Sequence, residues 1–218
     1  QYIHKLSNTV IMSPTDTWKL SDVNIKPQRG WQAAAGLYLN SPSGIWEYSV
    51  EGYYKRMSDY LDYRGGAKLL MNHHIETDVI NTQGHAYGVE LQVKKQVGKL
   101  NGWMSYTYSR TFLRQNDKRI EKPVNNGDWY PTEYDKPHDF KFVGNYKFTH
   151  RYSMSINVDY STGRPTTIPA GQYYDESTQS MRVYYTERNS YRIPDYFRTD
   201  ISFNIEPSHH LTLLTHSS

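Results

Sequence analysis

Stretches of about ten residues in which apolar or aromatic side chains occupy every second position recur along the chain, and a period of two is the signature of a strand with one apolar and one polar face. In "YSMSINVDYS", Tyr152, Met154, Ile156, Val158 and Tyr160 alternate with Ser153, Ser155, Asn157, Asp159 and Ser161. "DFKFVGNYKF" sets Phe140, Phe142, Gly144, Tyr146 and Phe148 against Asp139, Lys141, Val143, Asn145 and Lys147. "YGVELQVKK" opposes Tyr87, Val89, Leu91 and Val93 to Gly88, Glu90, Gln92 and Lys94, and "RTDISFNI" separates Thr199, Ile201, Phe203 and Ile205 from Arg198, Asp200, Ser202 and Asn204. Helical periodicity is almost absent. The pattern predicts an all-β chain of about nine antiparallel strands, near residues 1–7, 30–40, 45–57, 84–96, 102–112, 138–148, 151–162, 196–206 and 209–215.

The connections alternate in length. Short turns at "NSPSG", "QVGKLNG", "FTHRY" and "EPSHH" interleave with long loops over roughly 8–29, 58–83, 113–137 and 163–195. In an up-and-down sheet every second connection lies at the same end, so all short turns share one rim and all long loops the other. Outer-membrane barrels have this asymmetry, with short periplasmic turns and long extracellular loops. A strand of about 11 residues tilted near 45° spans about 26 Å, enough for the apolar band of such a barrel. The hairpin from Gly30 to Arg56 fits this reading. Trp31, Ala33, Ala35, Leu37, Leu39, Trp46, Tyr48, Val50 and Tyr54 form a row toward lipid, interrupted by Gly52. Glu47, Ser49, Glu51 and Lys55 face the lumen.

Composition sharpens the picture. The 218 residues are only 37% hydrophobic, yet 21 are Tyr, and the mean hydropathy is −0.82. No apolar run approaches the length of a membrane helix, which excludes a spanning helix and says nothing against a β-barrel, whose strands hide in alternation. Tyr38, Trp46, Tyr48, Tyr53, Tyr54, Tyr87, Tyr106, Tyr108, Tyr146, Tyr152 and Tyr160 fall in strands, as aromatic girdles require. A formal charge of +3, scattered along the chain, is not a nucleic-acid footprint. The absence of cysteine excludes disulfides, thiolate metal sites and thiol nucleophiles. No catalytic signature is present, so no enzyme is expected.

The words "IKPQ", "SVEGYYKRM", "DYRGGAKLL", "AYGVELQVKKQVGKLNGWMSYTYSRT", "NNGDWYPTEYDKPHDFKFVGNY", "STGRPTTIP" and "RIPDYFRTDIS" appear in order over nearly the whole chain. Together they resemble the C-terminal barrel of TonB-dependent outer-membrane receptors, and most of all the branch with a carboxypeptidase-regulatory-like N-terminal domain. The resemblance implies a transmembrane barrel of 22 strands with a plug inside, a TonB box that meets the energised inner-membrane complex, and uptake of a scarce nutrient such as a siderophore, glycan, peptide or cofactor. Residues 1–218 are then a single partial barrel domain without the plug, and the ending "LTLLTHSS" departs from the family's aromatic C-terminus. The expected partners are outer-membrane lipid, the parent's own plug and TonB complex, the nutrient and a surface lipoprotein; no cofactor and no nucleic acid are expected. A plug-less porin or adhesin-type barrel is the alternative.

Candidate residues follow from the two faces and the loop rim. Glu47, Glu51, Glu90, Gln92, Lys94, Asp159 and Asp200 are expected toward the lumen and plug. Among the long loops, Trp129, Tyr130, Tyr173, Tyr174, Tyr184 and Tyr185 could stack on a ligand, and Asn125, Asn126 and Asp128 could hydrogen-bond it. "GRP" at Gly163–Pro165 reads as punctuation that ends ladder pairing, and "YDKPHD" as a loop-to-strand bracket held by carboxylate hydrogen bonds. His73, His74, Glu76 and Asp78 carry metal-ligating atoms, but adjacent His residues in a strand point oppositely, and no metal site is expected.

Overall fold

The structure, a computed structural model, describes residues 3–5, 18–20, 26–63, 79–116, 123–176 and 179–206. Its main body is one antiparallel sheet. The long strands are β3 (Arg29–Asn40), β4 (Trp46–Tyr63), β5 (Val79–Lys95), β6 (Leu100–Gln115), β8 (His138–Lys147), β9 (Tyr152–Ser161) and β14 (Tyr196–Ile205), each paired with its neighbour in chain order. The two-residue β7 (Tyr130–Pro131) adds to β6. Three small ribbons stand apart: β1 (Ile3–Lys5) with β2 (Trp18–Leu20), β10 (Pro165–Thr166) with β13 (Tyr191–Arg192), and β11 (Pro169–Asp175) with β12 (Ser180–Tyr185). The expected first strand is therefore a short hairpin partner of β2, a segment read as loop, and not a member of the main sheet. The expected strand at 209–215 lies outside the described residues.

Because paired residues point to the same side of a sheet, register alone assigns every position to a face. One row runs Leu37, Val50, Leu91, Tyr106, Phe140, Tyr160, Phe197; the next runs Leu39, Tyr48, Val93, Met104, Phe142, Val158, Thr199. This apolar face is bare: Leu37, Leu39, Phe203 and Ile205 are each more than 60% exposed. The aromatics expected in girdles lie on it, with two exceptions. Tyr38 pairs with Ser49 and Tyr53 with Ala34, on the polar face. There the Tyr53 ring covers Gly88, where a Cβ would stand 2.7 Å from it. Small residues at Gly84, Ala86 and Gly88 leave room for Met57 and Tyr53 to lie across their neighbours.

The three described short turns are closed locally. Gly44 (φ 66) and Gly98 (φ 106) take the left-handed conformations that tight turns need. Ser41 N donates to Trp46 O at 2.8 Å, and Lys95 Nζ caps the second turn on the carbonyls of Val97 and Leu100 at 2.7 and 2.6 Å. All three turns sit at one end of the sheet; the long connections leave from the other.

The loop end is also where the sheet grows. β4 and β5 run for 18 and 17 residues against 10 for β8, β9 and β14. A bulge between Met57 and Tyr60, with Asp59 at φ 54, shifts the register there. Beyond it Leu61, Val79, Ile80 and Thr82 are buried. The densest packing among the described residues is thus at the loop rim, not beneath the middle of the sheet.

Candidate functional site: the loop rim and the polar face

The rim is held by two buried or half-buried carboxylates. The first belongs to Asp62, near the end of β4. Tyr130 donates its hydroxyl to Asp62 Oδ2 at 2.6 Å, and Arg188 Nη1 donates to the same oxygen at 2.7 Å. Tyr130 is 1% exposed and pairs with Leu113 as β7 closes on β6. Burial, and next the negative charge of Asp62, push its phenol far above the ordinary range. The second carboxylate is that of Asp135, also 1% exposed. It accepts from Thr111 N at 2.8 Å and from Arg110 Nε at 3.2 Å, and it pairs with the guanidinium of Arg192. Arg192 Nη1 donates further to the carbonyls of Asp135 and Gly163, both at 2.9 Å. A buried carboxylate is tolerated only with such a full set of partners.

Asparagines stitch the loops together. In the 3-10 turn Val124–Gly127, Asn125 and Asn126 sit at φ 48 and 55. The Asn125 amide accepts from Arg188 N at 2.7 Å and donates to Arg188 O at 3.1 Å. Asn189, at φ 55, donates to Pro131 O at 2.8 Å. Farther along, Asp195 accepts from Gly163 N at 2.9 Å and from the Tyr160 hydroxyl at 2.7 Å. The Gly163 amide first, and the Tyr160 hydroxyl second, hold its carboxyl below the usual range.

Several expected roles change with this geometry. Tyr130 and Asn125 are internal fasteners: the ring is enclosed, and the half-buried amide is committed to Arg188. Trp129 lies on the apolar side of the sheet. Its ring meets His85 at 4.4 Å and underlies the Arg114 guanidinium at 4.9 Å, and both partners belong to that face. Trp129 immediately precedes β7, and successive residues of extended chain point oppositely, so Trp129 and Tyr130 part company. Asn126 and Asp128 are exposed, as are Tyr173, Tyr174 and Tyr185. Tyr173 and Tyr174 alternate along β11, opposite Arg182 and Met181, while Tyr184 pairs with Gly171. Pro165 does not end pairing outright: the main sheet stops at Ser161, but Pro165 and Thr166 form β10 against β13. The "YDKPHD" bracket is held through Asp135, and the His138 ring faces the Tyr106 hydroxyl at 2.8 Å. His73, His74, Glu76, Asp78, His209 and His210 lie outside the described residues.

The residues expected toward the lumen share one face. Glu47 pairs with Lys94, Glu51 with Glu90, and Ser49 with Gln92. Asp159 lies between Lys141 and Arg198, and Asp200 opposite Asn157. Glu47 takes an ion pair from Lys94 at 3.6 Å, Tyr38 donates to Glu51 at 3.1 Å, and Arg198 pairs with Asp200 at 2.8 Å. Asp59 sits at the bulge; every other Asp and Glu in the main-sheet strands lies on this polar face. At the loop end of β3 and β4 a groove of about 400 Å³ opens between Gln28, Gln32, Lys55, Tyr60 and Trp31. Sequence reasoning did not single out this groove or the Asp62–Arg188 tie, because both depend on partners far apart in the chain.

Residues 7–215 match the family model described as TonB dependent receptor-like, beta-barrel. Among curated proteins none matches the sequence. The fold resembles the ferripyoverdine receptor of the outer membrane of Pseudomonas aeruginosa, at 10% identity and a TM-score of 0.52, over 84% of this chain and 22% of that one. It also resembles the FrpB iron transporter from Neisseria meningitidis, at 14% identity and a TM-score of 0.52, over 86% of this chain and 26% of that one. The chain thus spans about a quarter of the length of these structures.

Proposed function

Because the chain belongs to the TonB-dependent receptor-like β-barrel family of the Gram-negative outer membrane, we propose that it forms a stretch of barrel wall in a receptor that takes up a scarce nutrient by TonB-driven rearrangement of a plug. The observation that carries this reading is the division of charge between the faces. A wall with lipid on one side and water or a plug on the other must segregate its carboxylates, since a bare charge in hydrocarbon costs several kcal/mol. Here the main-sheet strands, Asp59 at the bulge aside, put every Asp and Glu on one side.

The ligand is captured at the loop end, by the exposed Asn126, Asp128, Tyr173, Tyr174 and Tyr185 and by the groove beside Lys55 and Trp31. The rings supply stacking area and the amide, carboxylate and ammonium groups supply orientation. Glu47, Glu51, Glu90, Gln92, Lys94, Asp159 and Asp200 line the interior and meet the plug through polar contacts and water. The two structurally similar proteins are a ferripyoverdine receptor and an iron transporter, which makes a metal-chelating solute the first ligand class to try.

The test is uptake of radiolabelled chelates, glycans and peptides by cells expressing the full-length receptor, with and without the proton-motive force. Uptake of one class that ceases when the force is collapsed supports the proposal. Uptake that continues undiminished makes the wall that of a passive pore.

A further inference from the structure

The apolar face carries charge in only two places. Lys95 lies at the turn end, paired with Trp46, and Arg29, Arg56, Arg110 and Arg114 lie at the loop end. No carboxylate shares that face at any regular ladder position. The separation of the two charged levels is informative. From Lys95 to His85, which pairs with Arg56, the strand rises about 33 Å at 3.3 Å per residue. Tilted near 45° that is about 23 Å along the membrane normal, close to the apolar height of about 25 Å typical of such barrels. The arginines therefore stand where hydrocarbon gives way to headgroups on the loop side.

They are also gathered and supported. Arg56, His85 and Phe112 form one row across β4, β5 and β6; Arg114 lies one step beyond it and Arg110 one step before. Strand spacing and rise put the three Cα atoms about 11–13 Å apart, within the combined reach of two arginine side chains. The Arg114 guanidinium lies 4.9 Å over Trp129 and that of Arg110 lies 4.5 Å over Phe112, while Trp129 meets His85 edge-on at 4.4 Å. Arg110 is steadied by Asp135 through Nε, the nitrogen turned away from its terminal pair. Among the described residues Arg56 and Arg114 have no carboxylate partner; Arg114 donates from Nε at 2.9 Å and from Nη2 at 2.5 Å to the amide oxygen of Gln83, its partner in register, which leaves Nη1 and one N–H of Nη2 without that partner.

We propose that Arg56 and Arg114, with Arg110 beside them, form a site on the outside of the wall for the phosphate-bearing headgroup of an outer-leaflet lipid. A guanidinium fork matches phosphate oxygens two at a time, and the aromatic rings beneath it hold the fork flat and fill the level of the glycerol or sugar. Water alone would satisfy arginines on a lumen or loop; on this face, beyond the Gln83 amide, the groups at hand are lipid headgroups. The proposal rests on the outer-membrane reading of this face and not on what the receptor imports.

The experiment uses the full-length receptor purified in neutral detergent and native mass spectrometry. It is titrated with a bisphosphorylated glucosamine-disaccharide lipid, with the same lipid after dephosphorylation, and with inorganic phosphate. The bisphosphorylated lipid is expected to bind, and the dephosphorylated one about tenfold less. Arg56→Gln/Arg114→Gln should lose about tenfold or more, while Lys95→Gln at the opposite rim should bind as the parent does. Equal binding of the dephosphorylated lipid, or undiminished binding by the double variant, overturns the site. Inorganic phosphate that displaces the lipid at equal concentration overturns its assignment to lipid. If the double variant fails to show the heat-dependent gel shift of a folded barrel, each single substitution decides, and no loss in either one overturns the proposal. Nutrient uptake should survive these substitutions, so loss of the lipid site and failure of the transport reading give different results.

Discussion

Arg188 and Asp62 are 126 positions apart in sequence, and Arg188 Nη1 stands 2.7 Å from Asp62 Oδ2. Their side chains are only 17% and 14% exposed, with the Tyr130 hydroxyl on the same carboxylate oxygen. The pair ties the loop before β13 to the extended end of β4, and β7 lies between them.

Breaking one side of that tie should cost more than removing both. Arg188→Met leaves Asp62 with a half-buried charge and is expected to destabilise the loop cluster by about 2–4 kcal/mol, below the range for a fully buried pair. Asp62→Asn/Arg188→Met should recover part of the loss, with a coupling of about 1–3 kcal/mol. Limited proteolysis of the loops in the full-length receptor, read as the cleavage rate at each site, measures this. Strict additivity would show that the pair is not coupled.

The Tyr130 phenol should stay protonated through the pH range where an ordinary tyrosine ionises, near 10, because burial and the Asp62 carboxylate oppose its anion. The sign follows from linkage: the folded state favours the proton, so the contribution is fully present below the unfolded value and is lost as pH rises through the folded one. In an alkaline titration followed by phenolate absorbance, Tyr130→Phe should remove no amplitude near pH 10. Loss of one tyrosine's amplitude there would contradict the enclosed position.

Glycines should divide sharply by what a methyl group would meet. At Gly102 a Cβ would lie 2.0 Å from Val143 O, and at Gly163 1.7 Å from Ile193 O. Gly102→Ala and Gly163→Ala must displace backbone, and both are expected to lower the yield of assembled barrel. Gly171 has nothing within 4 Å of the same atom, so Gly171→Ala should assemble normally. The heat-dependent shift in gel mobility reads the folded fraction.

Neighbouring residues on β5 should differ in their tolerance of charge. Leu91→Arg puts a guanidinium midway along the apolar face and is expected to destabilise by about 2–4 kcal/mol. Gln92→Arg, on the polar face opposite Ser49 and Ser105, should cost under about 1 kcal/mol. Urea unfolding of the receptor in lipid, followed by tryptophan fluorescence, gives both values. Equal costs would mean that the face does not meet lipid.

Where the side chains alternate, the sequence could be read nearly residue by residue. Phe140, Phe142 and Tyr146 announce β8 and its facing, because lipid on one side and water on the other impose a period of two. At the bulge that logic fails. Asp59 breaks the alternation, so the pattern predicts loop where β4 runs on to Tyr63 and β5 starts at Val79. The rim offers no period at all: Asp135 is held by Arg110 and Thr111 of β6 and by Arg192 of β13, segments far apart in the chain. Trp129 illustrates the cost of a missed short strand. β7 has two residues, too few to show a pattern, yet it alone decides that Tyr130 turns inward while its neighbour packs on the other side.

The extra length of β4 and β5 has a consequence for how a solute would be received. At 3.3 Å per residue, the six or so residues by which they outrun a membrane-spanning strand raise a ladder about 14 Å beyond the apolar band on that flank. Backbone in a ladder has already given up the conformational freedom that a coil loses on capture, about 1–2 kcal/mol per residue. The entropy of closing over a guest then falls on the segments that face this ledge, and half of the embrace is in place before the guest arrives.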